Sequence, residues 1–233
     1  MTINDFIEEL KKIGIILNDN QLNQLEQYYE LLVEKNKVIN LTGIVEKEEV
    51  YLKHFYDSLT IVKSIDLNKI SNLCDIGTGA GFPGLVLKIV FPQLKVVLLD
   101  SLNKRVYFLN DVINTLNLKN IEVIHTRAEE YALSHRNSFD VTTARAVANL
   151  SILLEYAIPM TKVGGYFIAL KGNVREELED SKNALKELNT TFIDLCEFSL
   201  PVENSIRSIC KFQKNGDVKK YPRKYSEIKK RKL

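Results

Sequence analysis

At 233 residues, 45% hydrophobic and 27% charged, the chain is long enough to bury a core without staples, and its composition excludes extended disorder or collagen-like sequence. No apolar run approaches the ~20 residues of a membrane-spanning helix, and three cysteines without a C-x-x-C pair (Cys74, Cys196, Cys210) exclude a disulfide framework and a zinc site. The net charge of +2 is unevenly placed: residues 211–233 carry ten Lys/Arg against Asp217 and Glu227, leaving 22 basic and 28 acidic side chains in the first 210 residues.

Residues 1–65 read as helical. Leu22, Leu25, Tyr29, Leu32 and Val33 recur at three- and four-residue spacing, one apolar stripe on a helix that Asn18 or Asp19 caps. Asn36 and Asn40-Leu41-Thr42-Gly43 break it before a second short helix over 46–65. From Asn72 the period changes. A strand over 73–76 is followed by a helix over 83–90, and a strand over 95–99 by a helix over 104–116. Strands over 121–125 and 139–143, a helix over 150–160 and a strand over 166–170 continue the series. Such alternation predicts βαβ units in a doubly wound, mostly parallel α/β sheet, with helices on both faces.

The end departs from that rhythm. After a charged helix over 174–188, strands over 191–200 and 205–213 are joined by only Pro201-Val202-Glu203-Asn204. That link is too short for a crossover, so the two strands pair antiparallel. The resulting fold class is a doubly wound, mostly parallel seven-stranded sheet closed by a terminal antiparallel hairpin and preceded by a helical extension. This is the Rossmann-like arrangement common among class I S-adenosylmethionine (SAM) methyltransferases. A basic end on a mildly acidic body fits either an anionic partner, nucleic acid first, or a solvated tail.

The stretch from Asp75 to Gly84 follows a predicted strand and opens a helix, the context of a nucleotide-binding loop. Gly79-x-Gly81-x-x-Gly84 satisfies the dinucleotide pattern, in which a helix N-terminus faces a pyrophosphate. Gly77-x-Gly79-x-Gly81 preceded by Asp75 fits SAM better, because a carboxylate there suits a cationic amino-acid moiety and repels a pyrophosphate. Asp100 closes the second strand, where a carboxylate accepts ribose hydroxyls; Ser101 is left to cap the next helix. Ala128 and Glu129 follow the third strand, at the expected adenine edge. Arg145 and Lys171 close the fourth and fifth strands on the rim where open α/β sheets bind ligands.

With these residues in view, the chain resembles the bacterial small-subunit (16S) rRNA guanine-N7 methyltransferases, the glucose-inhibited division protein B family. Asn40–Gly43, His54–Leu59, Asp75–Gly84 and Asp100–Arg105 carry the resemblance; Arg127–Glu130, Ala144–Ala148 and Lys171-Gly172 add to it. It implies a SAM-dependent enzyme acting on N7 of one guanine in 16S rRNA of the small ribosomal subunit. Cofactor contacts are implied at Gly77, Phe82, Ala128, Glu129 and Arg145, beside Asp75, Gly79, Gly81 and Asp100. Arg145 is the expected catalytic residue, and Asn40, His54 and Lys171 are expected substrate contacts. No metal is expected, since attack by N7 removes no proton. The expected organisation is a helical extension over 1–65, a methyltransferase domain over 66–215 and a basic tail over 216–233. The opening residues show no secretory signal, so a cytoplasmic protein, and a monomer, is expected. A SAM methyltransferase of a small molecule and a non-catalytic RNA-binding module are the competing readings.

Overall fold

The computed structural model describes all 233 residues. Seven strands form one sheet in the order β3-β2-β1-β4-β5-β7-β6. They are β1 (Asn72–Ile76), β2 (Lys95–Asp100), β3 (Ile121–His125), β4 (Phe139–Arg145), β5 (Thr161–Lys171), β6 (Thr190–Ser199) and β7 (Ile206–Lys214). The first five are parallel, whereas β7 runs antiparallel to both β5 and β6. The expected doubly wound sheet and terminal hairpin are both present. Winding goes outward from β1 to β3, then returns to β4 on the other side, which leaves a crevice beyond the carboxyl ends of β1 and β4.

Strand side chains alternate between two faces. Val96 and Leu98 of β2 join one apolar cluster, Val97 and Leu99 the other. The first cluster is covered by α1 (Ile3–Lys12), α2 (Asp19–Ile39), α5 (Gly84–Val90) and α6 (Asn103–Thr115). Between α2 and β1 the chain climbs a continuous ramp of α3 (Lys47–Val50), a wider π turn (Tyr51–Tyr56), α4 (Asp57–Leu59) and a 3-10 turn (Thr60–Lys63). The N-terminal region therefore shares the sheet's own core. On α2 the fully buried residues are Leu25, Tyr28 and Leu32, so the stripe lies a residue away from the expected Tyr29. Asn18 caps α2 through a reciprocal pair with Gln21 (2.9 and 3.0 Å).

The opposite face carries α7 (Ala128–Ser134), α8 (Leu150–Met160), α9 (Arg175–Asp180) and α10 (Lys182–Glu187). The single charged helix expected over 174–188 is split at Ser181, whose hydroxyl donates back to the Glu177 carbonyl (2.6 Å) and competes with the helix ladder. The last residues are no solvated tail. Val218, Tyr221 and Ile228 are buried, and α11 (Tyr225–Lys230) folds back over α8 through Arg223, which grips the buried Glu155 carboxylate at 2.6 and 2.8 Å.

Candidate active site

Beyond the carboxyl ends of the parallel strands lie two cavities that share one turn. The first, about 340 Å³, is lined by Ile76 and Gly77 at the end of β1, Leu99 to Ser101 at the end of β2, and Thr126 to Glu129 after β3. Val147 and Ala148 close one side and Tyr225 and Ile228 another. The second, about 320 Å³, is lined by Lys53, His54, Asp57, Arg145, Ala146, Lys171 and Arg207. Residues 145–148, at the end of β4 and just beyond it, therefore form the partition. Ala146 turns there with φ +55°, and the Lys171 ammonium donates to the Ala148 carbonyl (2.7 Å) and pairs with Glu177 (2.7 Å), which fixes the turn.

The glycine loop closes against this partition. A Cβ at Gly77 would lie 2.9 Å from both methyls of Val147, and φ there is +65°, so glycine is required on two counts. Asp75 is buried behind the loop rather than on the cavity wall: one oxygen accepts from the Thr78 hydroxyl (2.6 Å) and the Gly84 N–H (2.8 Å), and the other has no partner. Burial raises its pKa to about 6. Asp100 accepts from Gly79 N–H (2.9 Å) and Leu102 N–H (2.9 Å), so the second strand's carboxylate sets the loop that faces it. Leu102, with no side-chain cap, begins α6; Ser101 does not take the capping role expected of it.

On the wall of the first cavity, Glu129 is buried with one carboxylate oxygen that makes no hydrogen bond and has the Arg127 guanidinium 3.9 Å away. Burial raises the Glu129 pKa. Ala128 opens α7, where the first N–H groups of a helix have no intrahelical partner. An unfilled acceptor and a free donor beside an apolar slot fit the amino edge of a purine, and the glycine cradle leaves room for the rest of an adenosyl ligand. The residues present fit SAM.

The second cavity is organised by one carboxylate. Asp57 receives Arg145 on one oxygen (2.8 Å) and Arg207 on the other (3.0 Å). Arg145 also donates to the Lys53 carbonyl (2.9 Å) and to Nδ1 of His54 (3.2 Å), and lies over the Phe82 ring (5.1 Å). Five N–H groups on a guanidinium and three such donations leave Nε–H and one further N–H for a ligand. Nδ1 of His54 also lies 3.2 Å from the Lys53 carbonyl, while Nε2 faces the Thr42 hydroxyl (2.9 Å). Phe82 stacks on the His54 ring at 4.4 Å.

These contacts show which expected residues meet. Gly77, Asp100, Ala128 and Glu129 line the first cavity; His54, Lys171 and Arg145 line the second. Arg145, expected toward both cofactor and substrate, is on the second alone, and Phe82 lies under it. Gly79, Gly81 and Asp75 build the loop from behind. Asn40 lines neither: it is the exposed left-handed cap of α2 (φ +48°), while Asn36 holds the turn by accepting from Leu41 N–H (2.6 Å) and Thr42 N–H (2.9 Å). Sequence reasoning missed Asp57, Arg207 and Tyr28.

Burial and the Arg145 charge lower the His54 pKa to about 3. Its unfolded value is 6.5, so the folded state prefers the neutral ring. The stability this gives is complete above pH 6.5 and is lost as pH falls toward 3. In urea titrations from pH 8 to pH 4, the stability margin of the wild type over His54→Gln is expected to shrink with acid. A margin independent of pH would show that the ring is not held neutral.

The family model described as GidB, rRNA small subunit methyltransferase G, matches residues 21–199. The small-subunit rRNA methyltransferase G of Lysinibacillus sphaericus is 49% identical over 228 residues, covering 96% of each chain. That of Bacillus subtilis is 47% identical over 96% of this chain and 95% of its own. Among solved structures, a SAM-dependent methyltransferase from Aquifex aeolicus superposes with a TM-score of 0.53 at 20% identity, covering 77% of this chain and 97% of that one. A SAM-dependent O-methyltransferase from Thermotoga maritima gives 0.53 at 14% identity over 78% of this chain and 71% of its own. These two support the fold.

Proposed function

Since this chain belongs to the rRNA small subunit methyltransferase G family, we propose that it transfers the methyl group of SAM to N7 of a guanine in 16S rRNA. The observation that carries the reading is the pair of cavities divided by residues 145–148, one fitted to an adenosyl ligand and the other rimmed by Lys53, Arg145, Lys171 and Arg207. When bound, SAM supplies an electrophilic methyl on a sulfonium.

The chain's own residues do the rest. N7 carries a lone pair in neutral guanine, so the reaction requires no general base, and in the second cavity both ring nitrogens of His54 are engaged by other groups. Catalysis then rests on alignment and on fixed dipoles. Arg145, immobilised by Asp57, His54 and Phe82, directs its free N–H groups into the substrate cavity, where O6 of the base or a phosphate accepts them. Lys53, Lys171 and Arg207 receive the neighbouring phosphates, and the target base is reached unpaired or splayed from its stack. We assign the SAM-binding methyltransferase domain to residues 66–215, with Lys53, His54 and Asp57 of the helical extension 1–65 completing its substrate cavity, and infer a cytoplasmic monomer.

Small ribosomal subunits from cells lacking this protein, incubated with the chain and labelled SAM and then digested for mass spectrometry, are expected to carry one N7-methylguanosine. Activity is expected to fall as salt rises, because phosphate contacts release counterions. Cofactor binding with no label in the subunit would shift the reading to a small-molecule methyltransferase.

A further inference from the structure

We propose that Tyr225 and Ile228 are positioning residues for the nucleobase end of SAM, presented by a C-terminal strap that Arg223 clamps to Glu155. The proposal rests on the cofactor reading above, and it gives a function to residues beyond the 21–199 matched by the family model.

The cofactor cavity draws its walls from the strand ends, from α8 (Ile152, Tyr156) and from α11 (Tyr225, Ile228, Lys229). Tyr225 lies next to the entry of α7, its ring 4.4 Å from the guanidinium of Arg127, the residue before Ala128 and Glu129. A flat heteroaromatic ring needs apolar cover on its faces as well as polar partners at its edge. Ile228, 1% exposed, supplies an aliphatic side chain there. Tyr225 supplies an aromatic one, with its ring under the Arg127 guanidinium at 4.4 Å. Arg127 in turn lies 3.9 Å from Glu129, so the strap, the α7 entry and the Glu129 carboxylate form one rim.

The strap is fixed, not draped. Glu155 on α8, fully buried, accepts from the Arg223 backbone N–H (2.9 Å), its Nε (2.8 Å) and its terminal nitrogen (2.6 Å). The same guanidinium donates to the Arg231 carbonyl (3.0 Å), so one side chain ties α8 to the far end of α11. Upstream, Val218 and Tyr221 are buried in the α8-side core, and the Tyr221 hydroxyl donates to Glu187 (2.7 Å). A fork geometry of this kind fixes orientation as well as distance. Lys230, Arg231 and Lys232 of the strap are exposed to solvent.

The test is titration calorimetry of the full-length chain with SAM and, separately, with methylthioadenosine, which lacks the amino-acid part. Tyr225→Ala, at an exposed position, and Ile228→Ala are each expected to raise Kd for both ligands about tenfold, with Lys230→Ala within about twofold of wild type. Amide exchange over 218–231 is expected to slow when methylthioadenosine is added. Kd values for both ligands unchanged in Tyr225→Ala and Ile228→Ala, or exchange unaffected by the ligand, would overturn the proposal. A wild-type chain that binds neither ligand would instead overturn the cofactor reading, a separate result.

Discussion

Asp57→Ala is expected to abolish methyl transfer and to cost the fold about 2–3 kcal/mol, the range for charged hydrogen bonds broken at a largely buried site. Asp57 is 6% exposed and holds Arg145 and Arg207 on opposite oxygens. Without it, two guanidinium groups face each other uncompensated, and Arg145 loses the contact that sets its direction. Arg145→Ala is the sharper probe of chemistry. Its turnover is expected to drop about a hundredfold, the scale for losing one preorganised donor, while cofactor affinity is largely retained because the guanidinium lines only the second cavity. Arg145→Lys is not expected to rescue, since an ammonium cannot serve Asp57, the Lys53 carbonyl and His54 from one plane. Single-turnover rates on small subunits, with cofactor titrations on the same proteins, separate these outcomes. A full rate in Arg145→Ala would remove it from the active site.

The parallel sheet was legible because its strands announce themselves. Val96 to Leu99 are apolar on both faces, as a strand between two helical layers must be. The start of β5 was not: Gly164 and Gly165 interrupt the apolar run, so the sequence places the strand from Tyr166 although it pairs from Thr161. Helix α7 was hidden by its polar opening, Glu129 and Glu130, of which Glu129 is buried with one carboxylate oxygen free of hydrogen bonds. The strap was hidden by its charge. Its lysines and arginines advertise a solvated or RNA-binding tail, whereas its packing depends on Val218, Tyr221 and Ile228, too widely spaced to form a periodic signal.

At the site, the glycine loop, Asp100 and Glu129 were legible because local sequence order and strand ends determine their places. Asp57 and Arg207 were not, for a physical reason: their pairing spans 150 positions and depends on β7 running antiparallel beside β5, which brings Arg207 to the ramp. Position along the chain says that Arg207 opens a strand; only the register says which carboxylate it meets.

Gly81→Ala is expected to lose cofactor binding by more than about a hundredfold, a loss of roughly 2.8 kcal/mol, and to destabilise the fold by a further ~2–4 kcal/mol from left-handed strain and overpacking. Gly81 has φ +106°, and a Cβ there would lie 2.5 Å from the Tyr28 hydroxyl and 2.9 Å from Leu85 Cβ. Tyr28 comes from α2, is fully buried, donates its hydroxyl to the Ala80 carbonyl and packs on Phe55 (5.4 Å) and Phe82 (5.7 Å). Burial raises its pKa, so it stays a neutral donor throughout the working range. The N-terminal helix thus reaches through the core to hold the back of the glycine loop, and Phe82 carries that constraint on to His54 and Arg145. Tyr28→Phe is therefore expected to weaken cofactor binding severalfold although it touches neither cavity. In the double variant the two costs should fall short of their sum, because removing the hydroxyl relieves the contact that the added methyl group creates. Calorimetric Kd values for SAM across the four proteins provide the cycle. Strict additivity, with Tyr28→Phe binding like wild type, would mean that the glycine loop holds its shape unaided and that the helical extension serves only to cover the sheet.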